Sequence, residues 1–159
     1  MFERLICGVQ RLNKLPQSQS AWIFRLADLM PFYRHMGITL TKLGLGSSEI
    51  KVNVTKGLTQ SAGFAHGGVA ASLVDSAVGL ALCTLLRSRE SIRTIELKVN
   101  FVAPAKPGLL KAKGRIIQRG KRIAVGESEI KDRRGRLIAK GLVTYMVLKG
   151  RERPNPDAS

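Results

Sequence analysis

The most informative stretch of this chain is His66-Gly67-Gly68-Val69-Ala70-Ala71-Ser72-Leu73-Val74-Asp75. It joins a glycine-rich turn to an apolar run that continues as far as Leu86. Small and apolar residues on every side predict a helix that is buried all round. Asp75 is the single ionised group in this run, and a lone buried carboxylate is costly unless it is paired, hydrated or used in chemistry. The sequence therefore predicts a central helix that carries one acid with a specific role.

The two polar features of this helix lie too far apart to act on one group. Gly67 and Gly68 lie at the predicted N-terminus, where unpaired N–H groups and the helix dipole favour a negatively polarised oxygen. Asp75 follows eight residues after Gly67, which places it about 12 Å further along the axis. A reaction that uses both therefore needs two copies of the chain in a symmetric dimer. A purely structural interpretation stays open, in which the glycines allow tight packing and Asp75 caps a kink or binds a basic neighbour.

Composition predicts one soluble globular domain. The chain has 159 residues, of which 44% are hydrophobic and 24% charged, as expected for a single core. We expect no signal peptide and no transmembrane helix. Cys7 and Cys83 do not suggest a disulfide framework, so we expect a cytoplasmic protein. Neither metal-ligand spacing nor a nucleotide-binding glycine motif is present, so no metal and no cofactor is expected.

The charge is strongly positive and unevenly placed. Lysine and arginine number 27 against 11 acidic residues, a net charge of +16, and the basic residues are concentrated between Lys106 and Arg153. Such a surface attracts polyanions: nucleic acid, an anionic membrane or a phosphate-rich substrate. Aromatic residues make up 5% of the chain and do not interleave with the basic stretch, which argues against specific nucleic-acid binding. Charge that serves only solubility is the alternative.

The remaining pattern predicts two N-terminal helices and a sheet. The helices are expected over 2–13 and, capped by Ser20, over 21–30 before Pro31. Strand character follows in six runs: 38–43, 50–54, 94–102, 109–118, 122–132 and 136–148. Consecutive hairpins favour an antiparallel sheet, and the long helix is covered most simply if that sheet curls around it. We expect the outward residues Ile117 and Ile138 to pack between dimers.

His66-Gly67-Gly68 followed by Asp75 on a small-residue helix resembles the hotdog-fold acyl-CoA thioesterases. The strand from Thr94 to Ala105, with its terminal proline, resembles the same family. The similarity covers roughly 36–148 and is greatest to the phenylacetic acid degradation branch. It implies an α+β fold in which an antiparallel sheet of five to six strands wraps around one long central helix, in homodimers and often homotetramers. The division is then a helical extension at 1–35, the thioesterase domain at 36–148 and a flexible tail at 149–159.

The resemblance also implies roles for individual residues. In this family the backbone N–H at the position of Gly67 polarises the thioester carbonyl. An acid at the position of Asp75 reaches in from the partner chain and acts as base or nucleophile. Gln60 and Thr94 match positions that orient water or the acyl group, and His66 matches a histidine that braces the turn.

One further position separates the branches of the family. A second branch carries a threonine one helical turn after the acid, and in this chain that position is Gly79.

The predicted function is hydrolysis of an aryl- or medium-chain acyl-CoA to free acid and CoA, with coenzyme A as part of the substrate. The alternative is a non-catalytic acyl-CoA-binding or sensing protein on the same scaffold, although binding alone needs no buried acid. Nucleic-acid binding rests on charge alone. Five basic residues are candidates for the CoA phosphates, with a solvated surface charge as the alternative for each: Arg119, Lys121, Arg122, Arg87 and Arg89.

Overall fold

The computed structural model describes residues 14–150, so the helix predicted over 2–13 and the chain beyond 150 lie outside it. The helices are α1 (Gln17–Leu29), α2 (Pro31–Met36) and α3 (Gly67–Cys83), with a short 3-10 helix at Lys56–Leu58. The strands are β1 (Thr39–Gly44), β2 (Ser47–Val54), β3 (Glu90–Phe101), β4 (Gly108–Arg119), β5 (Ile123–Asp132) and β6 (Leu137–Lys149).

The six strands form one antiparallel sheet in the order β1-β2-β4-β5-β6-β3. Strands β1 and β3 are the edges, and α3 packs across the face formed by the strands between them. The alternating burial along β2, β4, β5 and β6 has the period expected of strands with one face on a core. The predicted antiparallel sheet around one long helix is confirmed.

Close approach between helix and sheet explains why α3 and the facing strands are rich in small residues. Leu73, Val74 and Val78 of α3 are fully buried. A Cβ atom on Gly114 of β4 would lie 2.4 Å from the carbonyl carbon of Ala77, so only glycine fits there. The sheet therefore touches the helix backbone itself, and α3 is fixed in the core along its length.

The N-terminal helices cover one end of α3. Ile23 and Ala27 of α1 are buried, and the Gln19 Nε2 atom donates a hydrogen bond of 2.9 Å to the carbonyl oxygen of Cys83. Helix α2 ends at Gly37, which has a left-handed φ of 72° that favours glycine. These two helices therefore enclose space beside the second half of α3. None of the described helices has the length and apolarity needed to span a bilayer.

Three details differ from the sequence prediction. Helix α1 begins after Pro16 with no side-chain cap, so Ser20 lies inside the helix and the predicted cap is wrong. Pro31 opens α2, where its missing N–H costs no hydrogen bond. Ile138 is 4% exposed and belongs to the core, whereas Ile117 is 52% exposed, so only Ile117 faces outward as predicted.

Candidate active site

The N-terminus of α3 presents a backbone donor at Gly67. His66 is the N-cap, and its Nδ1 atom accepts a hydrogen bond of 2.9 Å from the N–H of Gly68. The N–H of Gly67 has no hydrogen-bond partner among residues 14–150, and Gly67 is exposed. The imidazole thus braces the turn, while the neighbouring amide is free to bind an anionic oxygen.

Gln60 lies in the loop that leads into α3. Its Oε1 atom accepts a hydrogen bond from the N–H of Ala62, and its own N–H donates to the carbonyl oxygen of Phe64 at 2.8 Å. The amide oxygen is therefore engaged within the loop. Phe101 approaches from β3, where its ring lies 3.4 Å from the position of a Cβ atom on Gly67. The loop and this ring together form the surroundings of the Gly67 amide.

Asp75 lies further along α3 and is held by two hydroxyl groups. The Thr94 Oγ1 atom donates to Asp75 Oδ1 at 3.0 Å. The Tyr145 hydroxyl lies 2.7 Å from the same Oδ1 atom and 2.6 Å from the backbone carbonyl oxygen of Asp75. Burial, followed by the charge of Asp75, raises the pKa of Tyr145 far above its ordinary value. The tyrosine therefore stays protonated and donates to the carboxylate.

Tyr145 joins the candidate site although the sequence does not predict it, and Gly79 explains how its hydroxyl reaches Asp75. A Cβ atom on Gly79 would lie 2.9 Å from the Tyr145 hydroxyl oxygen. The absence of a side chain one turn after Asp75 thus makes room for a hydroxyl that comes from β6. Burial alternates along that strand and places Val143, Tyr145 and Val147 inward, and a buried tyrosine needs a polar partner. Together, these two facts predict that Tyr145 points inward and binds a polar group in the core.

A cavity of about 470 Å³ opens beside Asp75. Asp75, Thr94 and Tyr145 lie on one side of it, and the opposite wall is apolar and comes from the N-terminal helices: Trp22, Leu26, Met30, Phe32 and Tyr33. Burial raises the pKa of Tyr33 above its ordinary value, although the Ser76 hydroxyl acts in the opposite direction. Both cavity tyrosines are therefore neutral hydrogen-bonding groups. The cavity suits an apolar group whose reacting end lies at Asp75.

The structure sorts the five predicted catalytic residues into two groups. Gln60, His66 and Gly67 lie at the N-terminal end of α3, while Asp75 and Thr94 lie together at the cavity. Eight residues separate Gly67 from Asp75, so the two groups are about 12 Å apart along one helix. Thr94 lies within β3, since that strand begins at Glu90.

The predicted phosphate ligands are distributed unevenly. Arg119 donates to Glu90 Oε2 at 2.8 Å, and the two side chains are 9% and 7% exposed, so this guanidinium is neutralised inside the protein. Lys121 and Arg122 are exposed in the same hairpin. Arg87 and Arg89 are exposed after α3, with a left-handed φ of 61° at Arg89. All five lie towards the C-terminal end of α3, away from Gly67 on the same protomer.

Possible metal ligands are sparse in the part of the chain that the structure describes. No group of three or more His, Cys, Asp or Glu side chains there is arranged to hold a metal ion. The polar groups that line the cavity include the Asp75 carboxylate, Glu90 (which is paired with Arg119), Arg93 and several hydroxyls. Groups of these kinds suit proton transfer and hydrogen bonding to a substrate.

Comparison with known proteins identifies the family. Residues 62–139 match the family model of the thioesterase superfamily. A candidate esterase of Saccharolobus solfataricus is 34% identical over 137 residues, which cover 86% of this chain and 91% of that protein. A medium/long-chain acyl-CoA thioesterase of Salmonella typhimurium is 30% identical over 135 residues, which cover 74% of this chain and 86% of that enzyme.

A solved structure gives the same result for the fold. The thioesterase family protein from Silicibacter pomeroyi superposes with a TM-score of 0.79 at 27% identity, and the match covers 83% of this chain and 99% of that one. The predicted resemblance to the hotdog-fold thioesterases is confirmed. The chain belongs to the thioesterase superfamily and is a thioester hydrolase of the hotdog fold.

Proposed function

We propose that the protein hydrolyses the thioester of an aryl- or medium-chain acyl-CoA, releasing the free acid and CoA. The reaction takes place at sites that two protomers build together. The observation that carries this proposal is the placement of the Gly67 N–H and the Asp75 carboxylate on one rigid helix. At about 12 Å of separation, one protomer cannot bring both to a single carbonyl group. A two-fold dimer forms two equivalent sites, because each protomer contributes its amide to one site and its acid to the other.

The exposed edge of the sheet supports a dimer. Strand β3 is an edge strand, and its apolar side chains are exposed in the single chain: Ile95 is 51%, Leu97 38% and Phe101 61% exposed. An edge strand with this pattern favours pairing with another strand. Thr94 of the same strand contacts Asp75, so a second copy on β3 lies next to the acid. Pairing of two such dimers into a tetramer is part of the same proposal.

The proposed chemistry needs one donor and one base. The thioester carbonyl oxygen accepts from the Gly67 N–H, and negative charge grows on that oxygen as the carbonyl carbon is attacked. In one route, Asp75 of the other protomer takes a proton from the attacking water, the carbon–sulfur bond breaks, and the proton on the acid passes to the leaving CoA sulfur. In the other route, Asp75 attacks the carbonyl carbon, so that the carbon–sulfur bond breaks and CoA leaves as its thiolate while a mixed anhydride forms. Water then hydrolyses the anhydride, which regenerates the Asp75 carboxylate and supplies the proton that the thiolate takes up.

The residues around these two groups hold them in place. Tyr145 and Thr94 both donate to Oδ1 of Asp75, so Oδ2 is left to face the substrate. His66 fixes the turn that carries the Gly67 amide. Gln60 lies in the loop before that turn and orients water or the acyl group through its amide nitrogen, since its oxygen is bound to Ala62.

The cavity beside Asp75 is the proposed acyl site. Its wall of Trp22, Leu26 and Met30 favours an apolar acyl group, and its aromatic members suit an aryl ring. The name of the Salmonella relative supports medium-length chains. We also infer a cytoplasmic location, since Cys7 and Cys83 do not suggest a disulfide framework.

Thiol release from a panel of aryl- and alkyl-CoA esters tests the function. We expect turnover of at least one class, and loss of turnover in Asp75→Asn with the dimer intact by gel filtration. A protein that binds acyl-CoA tightly but releases no thiol is the binding or sensing protein instead. Full turnover by Asp75→Asn removes the acid from the mechanism.

A further inference from the structure

A second basic cluster lies at the end of the sheet near Gly67. Lys106 from the β3–β4 connection and Arg133, Arg134 and Arg136 from the β5–β6 hairpin line one open groove of about 730 Å³. All four side chains are exposed. None of these residues was among the phosphate ligands predicted from the sequence.

The acidic residue in this groove, Asp132, does not neutralise the positive charge of the cluster. Asp132 accepts hydrogen bonds from the backbone N–H groups of Arg134 and Arg136, and from Arg136 Nε at 3.1 Å. These bonds, Arg136 foremost, hold the pKa of Asp132 below its ordinary value. Arg136 also donates to the carbonyl oxygen of Pro104. Within residues 14–150, no ion pair involves the side chains of Lys106, Arg133 or Arg134, so three charges remain for a ligand.

Backbone contacts limit the distance from Gly67 to Lys106, the member of the cluster on the β3–β4 connection. The N–H of Ala65, two residues before Gly67, donates to the carbonyl oxygen of Ala105 at 2.8 Å. Lys106 follows Ala105 directly. The path from the Cα atom of Gly67 to that of Lys106 is therefore three peptide steps and one hydrogen bond, or at most about 17 Å.

The length of the CoA arm matches this separation. Between its sulfur and the oxygen of its first phosphate, the pantetheine arm has as many bonds as four residues of backbone, an extended span of about 14 Å. The acyl group points into the cavity at Asp75 of one protomer, so the CoA arm leaves from the Gly67 end of the other. The exposed hairpin of Lys121 and Arg122 lies at the other end of α3, about 25 Å from Gly67 on the same protomer.

We propose that Lys106, Arg133 and Arg134 bind the phosphate groups of CoA, on the protomer that supplies the Gly67 amide. This inference rests on the proposed acyl-CoA hydrolysis and adds the location of the nucleotide. Guanidinium groups pair with phosphate oxygens in a bidentate manner, and an ammonium group adds a mobile positive charge. The substrate then spans both protomers: the acyl group lies on one and the nucleotide on the other.

The test compares two substrates that differ only in the nucleotide. One is an acyl-CoA that the protein hydrolyses, and the other carries the same acyl group on pantetheine, which has no phosphate. The variant combines Lys106→Ala, Arg133→Ala and Arg134→Ala. The control combines Lys14→Ala, Lys113→Ala and Lys149→Ala, which removes the same charge from exposed positions elsewhere.

For acyl-CoA, we expect KM to rise about tenfold or more in the cluster variant, with kcat nearly unchanged. We expect acyl-pantetheine kinetics to be the same in the cluster variant and the wild type, and the control variant to change KM for acyl-CoA by less than about twofold. Added salt raises KM for acyl-CoA in the wild type and does so less in the cluster variant.

Three results would overturn the inference: equal KM for acyl-CoA in the cluster and control variants, an equal rise for both substrates, or the rise appearing in Lys121→Ala/Arg122→Ala instead. Each of these leaves acyl-CoA hydrolysis intact. If the wild type hydrolyses neither substrate, the proposed function itself fails, and the two failures are thereby distinguished.

Discussion

The hydroxyl oxygen of Tyr145 lies 2.9 Å from the place that a Cβ atom on Gly79 would occupy. The glycine is therefore the condition for the hydrogen bond between the tyrosine and Asp75. Because Gly79 has no side chain, Tyr145 of strand β6 can reach across the core and hydrogen-bond to Asp75.

Gly79→Ala should lower kcat about tenfold, because the new methyl group displaces the hydroxyl that holds Asp75. The same change in a Tyr145→Phe background should alter kcat by less than about twofold, since the next tyrosine atom, Cζ, lies 3.5 Å from that Cβ position. There it should also stabilise the helix by up to about 1 kcal/mol. Equal losses of kcat in the two backgrounds would show that Gly79 acts independently of Tyr145.

Tyr145→Phe should lower kcat about tenfold and leave KM within about twofold, because it removes a donor to the carboxylate and keeps the ring. The change in kcat at nearly constant KM distinguishes loss of this donor from loss of substrate binding. A normal kcat would remove Tyr145 from the positioning of Asp75.

Trp22→Ala should extend the range of acyl chains to longer members, because it removes the bulkiest part of the apolar wall of the cavity. The measurement is kcat/KM across a series of alkyl-CoA esters. Phe24→Ala on the same helix is the matched control, since Phe24 packs against the core and is not part of the cavity wall. If both variants give the chain-length profile of the wild type, the cavity does not hold the acyl group.

Glu90→Gln should reduce the free energy of unfolding by about 3 kcal/mol, because it leaves the buried Arg119 charge without its counter-ion. Glu49→Gln breaks a longer pair with Lys113, in which the two atoms are 3.7 Å apart and the lysine side chain is 63% exposed. This change should cost less than about 1 kcal/mol. Urea denaturation at one protein concentration compares them, since dimerisation adds to the measured stability. Similar midpoints for the two variants would mean that Arg119 does not depend on Glu90.

Gly114→Ala should destabilise the fold by about 1–3 kcal/mol, because its Cβ atom would meet the backbone of Ala77, which cannot rotate away. Gly57→Ala is the control, with its nearest atom 3.9 Å from the new Cβ position. Thermal melting measures both. An unchanged melting temperature in Gly114→Ala would contradict the direct contact between β4 and α3.

Local patterns predicted the helix and the strands but not their order in the sheet: consecutive hairpins are expected among the last four strands, whereas β3 pairs with β6 and not with β4. The apolar run after Gly68 predicted α3, and its helical rise alone separated Gly67 from Asp75. Strand periodicity predicted all six strands, since alternation is a local property of the chain. Strand β3 begins at Glu90, four residues before the predicted start at Thr94, because Glu90 and Arg93 interrupt the apolar alternation. Glu90 is nevertheless buried by its pairing with Arg119.

Contacts between residues that are far apart in the chain could not be predicted from local sequence patterns. Seventy residues separate Asp75 from Tyr145, so no spacing rule connects them. The sequence predicts that Arg119 is an exposed cation in a hairpin. Its partner Glu90 lies 29 residues earlier in the chain, and their ion pair is buried. The basic cluster at Lys106 likewise becomes visible only when the β3–β4 connection and the β5–β6 hairpin are placed side by side.

In the proposed dimer, each active site takes its amide from one protomer and its acid from the other, and two inactive variants can test this arrangement together. Gly67→Pro removes the N–H at the first helical position, where proline is tolerated, and His66 already has the extended φ of −63° and ψ of 141° that a residue before proline needs. Gly67→Ala keeps the N–H and is the control that should retain activity. Asp75→Asn removes the base.

Co-expression of Gly67→Pro and Asp75→Asn chains, followed by isolation of the mixed dimer through two different tags, is the decisive measurement. Each mixed dimer has one site with both defects and one site with neither. We predict about half the thiol-release rate of the wild-type dimer, while each variant alone is inactive. A mixed dimer as inactive as its parents would contradict the shared site.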